Sequence, residues 1–200
     1  MEYKIDSFSN YTKPYIHNFI KYKNALDRRI KEFNDIYIYD IETNFNVFFS
    51  FTPIPFECLM KINIILKTNQ IENIYDFGAG TGYHSFLFSK ILKYNVESYD
   101  IQLDNFKNKW YEVQNKDCND LILKPSKKII ILSWIENKKM IKNILQNNKP
   151  EFIMLIGIYY RCPYTYEIYN DLIENQELIE EFIIKEFDSK DNQKISIIKM

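Results

Sequence analysis

Apolar residues at helical spacing open the chain. Across 12–33, Ile16, Phe19, Ile20, Leu26, Ile30 and Phe33 recur every three or four positions, with Pro14 near the start. That spacing predicts an amphipathic helix whose opening turn tolerates the proline. Residues 36–41 alternate loosely, as a short strand or an extended segment. Residues 45–51 are aromatic and apolar until Pro53 and Pro55 interrupt them, and 56–66 reads as a second helix. From residue 71 the pattern changes. Apolar runs of strand length at 74–77, 96–99, 111–113, 129–132 and 152–158 are interleaved with helical segments at 82–93, 137–147 and 164–175. Strand alternating with helix predicts an α/β fold, a parallel sheet covered by helices on both faces. The last two strand candidates, 179–187 and 194–199, have almost nothing helical between them. A tight antiparallel hairpin therefore closes the chain. With no internal repeat or low-complexity linker, the pattern predicts one domain over 51–200 and an N-terminal helical extension over 1–50.

Composition narrows the class. Two hundred residues, 46% hydrophobic and 26% charged, suffice for one full core and match a soluble globular protein. A formal net charge of −1 gives no global attraction to nucleic acid or to an anionic membrane, although a local patch is compatible with it. No apolar stretch reaches the length of a membrane span, and Met1-Glu2-Tyr3-Lys4-Ile5-Asp6 does not read as a secretory signal. Cys58, Cys118 and Cys162 are odd in number, and no two stand at C-x-x-C spacing. They point to reduced thiols in an intracellular, cytoplasmic setting, without a zinc site or a disulfide scaffold. His17 and His84 are the only histidines available for catalysis.

The candidate chemistry gathers where glycine does. The chain has four glycines, and three of them are Gly78, Gly80 and Gly82. They lie in Asp76-Phe77-Gly78-Ala79-Gly80-Thr81-Gly82, where a strand should turn into a helix. Glycine serves where the backbone takes positive φ or a ligand approaches closely. The N–H groups that open the following helix suit a carboxylate or phosphate. A dinucleotide fingerprint would read Gly-x-Gly-x-x-Gly, whereas this loop reads Asp-x-Gly-x-Gly-x-Gly. A carboxylate at Asp76 repels a pyrophosphate but accepts hydrogen bonds from an ammonium group, directly or through water. The loop thus favours a nucleoside bearing an amino acid over a nicotinamide dinucleotide. The plainer alternative is a tight strand-to-helix turn that holds nothing.

Two further carboxylates fit the same ligand. Asp100 ends the next strand about twenty residues on, the usual distance for an acid that accepts both ribose hydroxyls. Asp117 follows the third strand, where it can meet an adenine amino group, and Asp120 competes for that place.

On Asp76–Gly82, on Asp100 and on the order of elements through the final hairpin, the chain resembles class I S-adenosylmethionine-dependent methyltransferases over about residues 50–200. The resemblance implies a Rossmann-like seven-stranded sheet, mostly parallel, with an antiparallel last strand. S-adenosylmethionine would lie across the carboxyl ends of the first strands, on Asp76, Gly78, Ala79, Gly80, Thr81, Gly82, Asp100 and Asp117. Residues 51–57, Gly78–Gly82 with Tyr83-His84, and Leu132-Ser133-Trp134 are similar to a little-characterised methyltransferase-like group. In that group the fourth strand ends in Ser-Trp-Pro-Pro. This chain has Ile135-Glu136 in place of the diproline.

The methyl acceptor, whether small molecule, protein or nucleic acid, would enter over the fourth and fifth strands, with Ser133 and Trp134 as the candidate catalytic residues. Methyl transfer from a sulfonium is an in-line displacement, so alignment and desolvation of the nucleophile dominate. Trp134 either stacks on a flat acceptor or packs at the rim. Glu136 is a base or a solvated loop residue. Cys162-Pro163 raises covalent cytosine-C5 chemistry, which the absence of a matching fourth-strand cysteine and of basic charge opposes. His84, in the first turn after the loop, is a base near the cofactor or a packing residue, since a helix N-terminus lowers imidazole basicity. The N-terminal helix and 51–57 would form a lid. The missing diproline also admits a catalytically inactive methyltransferase fold with a binding or regulatory role.

Overall fold

A computed structural model describes residues 2–4, 54, 56–101, 110–133, 137–158, 163–185 and 192–200. The helix expected at 12–33, the segments at 36–41 and 45–51, and the lid role given to 1–50 lie outside the described residues.

Within them the order is β1 (Glu2–Lys4), α1 (Phe56–Thr68), β2 (Asn73–Phe77), α2 (Tyr83–Phe86, continued by the π-helical turn Leu87–Ile91), β3 (Asn95–Asp100) and β4 (Gln114–Asn115). A 3₁₀ turn (Cys118–Asp120) then leads to β5 (Lys128–Ser133), α3 (Lys138–Asn148), β6 (Phe152–Ile158), α4 (Pro163–Asn175), β7 (Glu177–Lys185) and β8 (Asn192–Lys199). The strands form one sheet in the order β1-β7-β8-β6-β5-β2-β3-β4. Seven of them, β2 to β8, make the mostly parallel sheet expected from the sequence, with β8 antiparallel to both β6 and β7. The three-residue β1 adds to the β7 edge in parallel, an eighth strand that the sequence pattern did not predict.

Burial explains why the interior strands form. Ile129, Ile130 and Ile131 of β5 are fully buried, as are Ile153, Met154 and Ile156 of β6. Unbroken runs rich in β-branched residues suit strands covered on both faces. Each such side chain contributes roughly 2 kcal/mol by leaving water. Ile74, Ile129 and Ile131 pack with Leu59, Ile62 and Leu66 of α1 and Leu87 and Phe88 of α2. Tyr75, Phe77, Ile130 and Leu132 face the other way, towards Ile141 and Ile144 of α3 and Ile168 and Tyr169 of α4. The result is a helix–sheet–helix sandwich.

Scarce glycine leaves a mark on the helix ends. Gln70, Lys93 and Lys149 all take positive φ (56°, 66° and 41°) just beyond α1, α2 and α3. After α1, the Ile71 N–H bonds the Leu66 carbonyl and the Gln70 N–H bonds that of Lys67, both at 3.0 Å. This is a Schellman closure with Gln70 where glycine is usual, and Ile71 and Leu66 both join the core beside it. The remaining glycine, Gly157 (φ 82°), sits where the β6–β8 register shifts between Ile156 and Ile158.

One boundary departs from expectation. The third strand was expected at 111–113, yet the residues that pair with β3 are Gln114 and Asn115. Tyr111 and Val113 instead lie against Gly82.

Candidate functional site

Chain order reverses direction between β2 and β5: from β2 the sheet grows through β3 and β4, then resumes on the other side with β5 and β6. The crevice outside the carboxyl ends at such a switch point is where open α/β sheets bind ligands. Every described residue of the predicted site lies along that carboxyl edge.

The loop after β2 is anchored by its own backbone. Gly78 and Ala79 both donate to the Tyr99 carbonyl, at 2.9 and 3.1 Å, and Gly82 donates to the Ala79 carbonyl at 2.8 Å. Thr81 accepts from the Trp110 N–H at 2.8 Å. Gly78, Gly80 and Gly82 have φ of 75°, 54° and 74°. The sterics are strictest at Gly82, where a Cβ would stand 3.0 Å from Tyr111 Cβ, 3.1 Å from its backbone nitrogen and 3.1 Å from Val113 Cγ2. Gly82 is therefore required by packing under β4's approach as well as by its φ.

Asp76 is fully buried on the α2 side of the sheet, sharing a face with Ile74. Its Oδ2 accepts from Ser85 Oγ at 2.6 Å, and Ser85 Oγ accepts from Ser98 Oγ at 2.6 Å. Ser98 stands opposite Asp76 in the β2–β3 register. Among the described residues, Asp76 Oδ1 has no hydrogen-bond partner and almost no solvent contact. Burial pushes this carboxyl up to about 6, against the opposing pull of the Ser85 hydrogen bonds, with Asp100 adding a smaller push.

Asp100, ending β3, accepts from the Gly80 N–H on Oδ2 at 2.9 Å. It thus fixes the middle of the glycine loop from the carboxyl end of β3. Asp117 accepts from the Asn119 N–H (2.8 Å) and the Asn119 side chain (2.9 Å) on Oδ1, capping the 3₁₀ turn. Between these acids lies Cys118, 4% exposed. Burial above all, and the neighbouring carboxylates less, push its thiol up to about 12 against the opposing pull of the nearby Gly78 N–H. Buried and held as a thiol, Cys118 is not suited to act as a nucleophile.

On the β5 side of the switch point, Ser133 ends its strand beside the loop, its carbonyl oxygen 4.0 Å from where a Gly78 Cβ would stand. Ser133 Oγ lies 3.1 Å from His84 Nδ1. His84 is 4% exposed. The sequence supplied these two residues separately, and the fold joins them across 49 positions. Trp134, Glu136 and the 159–162 segment with Cys162 lie outside the described residues.

Sequence reasoning missed Ser85 and Ser98, which hold Asp76, and Trp110, whose ring packs against Tyr83 (5.5 Å between centroids) and Phe86 (5.2 Å). Ser98 carried a usable signal: it is a small polar residue two positions from the buried Val96 and two before Asp100 on the same face of β3.

The donor set fits an adenosyl amino acid. Asp76 Oδ1 is a buried acceptor without a partner among the described residues, and the positive-φ glycines open the loop backbone to close approach.

No family model matches the chain, and no curated protein matches it by sequence. Solved structures do. The magnesium protoporphyrin IX methyltransferase ChlM of Synechocystis PCC 6803, with bound SAM, superposes with a TM-score of 0.54 at 11% identity, covering 98% of this chain and 100% of that one. The methyltransferase domain of bacterial CtHen1-C gives 0.51 at 11% identity, over 71% of this chain and 96% of that one. The N-methyltransferase NodS of Bradyrhizobium japonicum WM9 gives 0.50 at 10% identity, over 70% and 91%. The chain spans 38% of the tRNA (uracil-54, C5)-methyltransferase of Pyrococcus abyssi, at a TM-score of 0.46 from which nothing follows. With its strand order, antiparallel β8 and glycine loop at the switch point, the chain has the fold of the class I S-adenosylmethionine-dependent methyltransferases.

Proposed function

We propose that this chain binds S-adenosylmethionine at the β2–β5 switch point and transfers its methyl group to an acceptor entering over β5 and β6. The observation that carries the reading is the buried, unpartnered Oδ1 of Asp76 beneath a loop that Asp100 holds by its middle glycine. A buried carboxylate oxygen without a partner costs about 1–3 kcal/mol or more, which a ligand ammonium relieves directly or through water. A pyrophosphate would meet repulsion there instead. Asp100 accepts from the ribose hydroxyls, and Asp117 from the adenine amino group. The backbone of Gly78, Ala79, Gly80, Thr81 and Gly82 lets the ligand approach closely. When bound, the cofactor supplies a methyl group activated on sulfonium sulfur. The protein supplies alignment and exclusion of water at the ends of β2 and β5, with Ser133 and Trp134 on the acceptor side.

Calorimetric titration with S-adenosylmethionine, S-adenosylhomocysteine and NAD tests the reading. Binding of the adenosyl ligands alone, lost in Asp100→Ala and Gly80→Arg, is expected. Binding of NAD alone, or of none of the three, refutes it. A second reading, a silent methyltransferase fold with a binding role, is favoured by Ile135-Glu136 standing where the similar group has a diproline. Adenosyl binding without transfer to any acceptor would select it.

A further inference from the structure

Resting on that reading of the cofactor site, we propose that the Ser133–His84 pair makes the acceptor a hydroxyl compound, with Ser133 receiving the acceptor O–H and His84 taking its proton. Three observations converge. Ser133 is the last residue of β5 at the switch point, partly buried, and its backbone faces Gly78. Its Oγ is within hydrogen-bond distance of His84 Nδ1, at 3.1 Å. His84 itself is almost wholly enclosed, whereas Ser133 is only partly buried.

The chemistry discriminates between acceptors. A neutral amine attacks through its lone pair and can shed the surplus proton to water afterwards. A hydroxyl becomes a strongly acidic oxonium on methylation, so its proton must leave during the attack, which is the work of a positioned base. The other described titratable groups at this edge do not suit the task. Asp76 is held by Ser85 and assigned to the ligand ammonium, Cys118 is buried, Asp100 is tied to the loop, and Asp117 caps the 3₁₀ turn. An imidazole with its proton on Nε2 accepts from Ser133 through Nδ1. The step then balances. The acceptor oxygen forms its bond to the methyl carbon of the sulfonium donor, and the carbon–sulfur electron pair returns to sulfur. The acceptor proton passes to Ser133 Oγ as the serine proton passes to His84 Nδ1, leaving an ether and an imidazolium. A proton returned to solvent resets the pair.

The experiment uses the full chain and has two arms. In the first, nitrogen-resolved NMR of the imidazole in protein loaded with S-adenosylhomocysteine reads the tautomer of His84, with His17→Gln removing the other signal. Nδ1 as the unprotonated nitrogen, changed in Ser133→Ala, is expected; Nδ1–H, or no response to Ser133→Ala, overturns the proposal. In the second, methyl-labelled S-adenosylmethionine is offered with phenol, catechol and benzyl alcohol, and in parallel with aniline, benzylamine and imidazole. Label in a hydroxyl probe is expected. His84→Gln and Ser133→Ala should lower kcat about 100-fold or more, with S-adenosylhomocysteine affinity and the KM for the donor within about twofold of the parent. Ser133→Thr should restore part of the rate. Label only in amines, label in neither class, or an undiminished rate in His84→Gln overturns the proposal. Loss of S-adenosylhomocysteine binding by the parent protein would instead overturn the cofactor reading beneath it. Unchanged ligand affinity in the variants shows that they fold.

Discussion

Replacing Asp76 by asparagine should remove a loss of stability that the protein suffers between acid and neutral pH, while weakening its hold on the cofactor. Folding buries the carboxyl completely and moves its pKa from 3.8 up to about 6. A shift of about 2 units corresponds to about 3 kcal/mol. Its sign follows from proton uptake. Below about pH 4 the carboxyl is neutral in folded and unfolded chains alike, so its burial brings no charge penalty. Between about 4 and 6 the folded protein holds a proton that the unfolded chain has released, so stability falls as pH rises. Above about 6 the loss is complete. Asparagine removes the titration and leaves a side-chain oxygen for Ser85. Its amide N–H₂ would take the unpartnered Oδ1 place at a penalty of about 1–3 kcal/mol, but that penalty is the same at every pH. The informative quantity is therefore a difference of differences. Urea unfolding of both proteins at about pH 4 and about pH 7.5, with m-values compared, should show Asp76→Asn gaining about 2–3 kcal/mol relative to the parent between the two conditions. Calorimetry at about pH 7.5 should show S-adenosylmethionine binding weakened at least about tenfold. A stability difference independent of pH would refute the charge-burial argument. Unchanged affinity would refute the role given to the carboxylate. A relative gain with rising pH together with weaker binding is what a site held in a disfavoured state produces.

Other positions give independent checks. Asp100→Ala removes the acceptor of the Gly80 N–H, and S-adenosylhomocysteine affinity measured by calorimetry should fall at least about tenfold. Gly82→Ala places a methyl group within 3.0–3.1 Å of Tyr111 and Val113 at φ 74°, and chemical denaturation should show a loss of about 2–4 kcal/mol. Gln70→Gly relieves the left-handed residue that closes α1 (φ 56°), and the same assay should register a gain of about 0.5–1 kcal/mol. Cys118, buried with its thiol pushed up to about 12, should resist iodoacetamide at pH 8 in the native protein and react in urea, read by peptide mass mapping.

The alternation of strands and helices was legible because the inner strands of a doubly covered sheet have to be apolar throughout. Ile129–Ile131 and 152–156 announce themselves by composition alone. Where apolarity served another purpose, the reading slipped. The pattern at Tyr111 and Val113 reads as the third strand, yet they pack on the glycine loop and Tyr111 reaches the Val96 carbonyl at 3.1 Å. The residues that pair are the polar Gln114 and Asn115, on an edge strand too short to carry a pattern. The Glu2–Lys4 edge strand likewise has no alternation to detect. A helix over 82–93 was legible as a helix, but nothing in Leu87–Ile91 marks the widening to π-helical turns.

At the site, the residues bound by local geometry were legible and those bound by faces were not. Glycine scarcity isolates the loop, and the carboxylates at strand ends follow from spacing. What supports them depends on which sheet face each side chain meets. Asp76 lies on the face covered by α2, an apolar layer in which a carboxylate persists only if something small and polar reaches it. Ser98 is directly opposite in register and Ser85 is the third residue of the helix above, so both arrive without displacing core volume. The same face carries Ser133, two residues beyond Ile131, which brings it under α2 and within reach of His84. One layer thus holds both the acid to which the proposal gives the cofactor and the pair to which it gives the acceptor, and the short helix α2 belongs to both. A substitution that moves α2 should therefore disturb ligand affinity and methyl transfer together, whereas one confined to Ser133 should separate them.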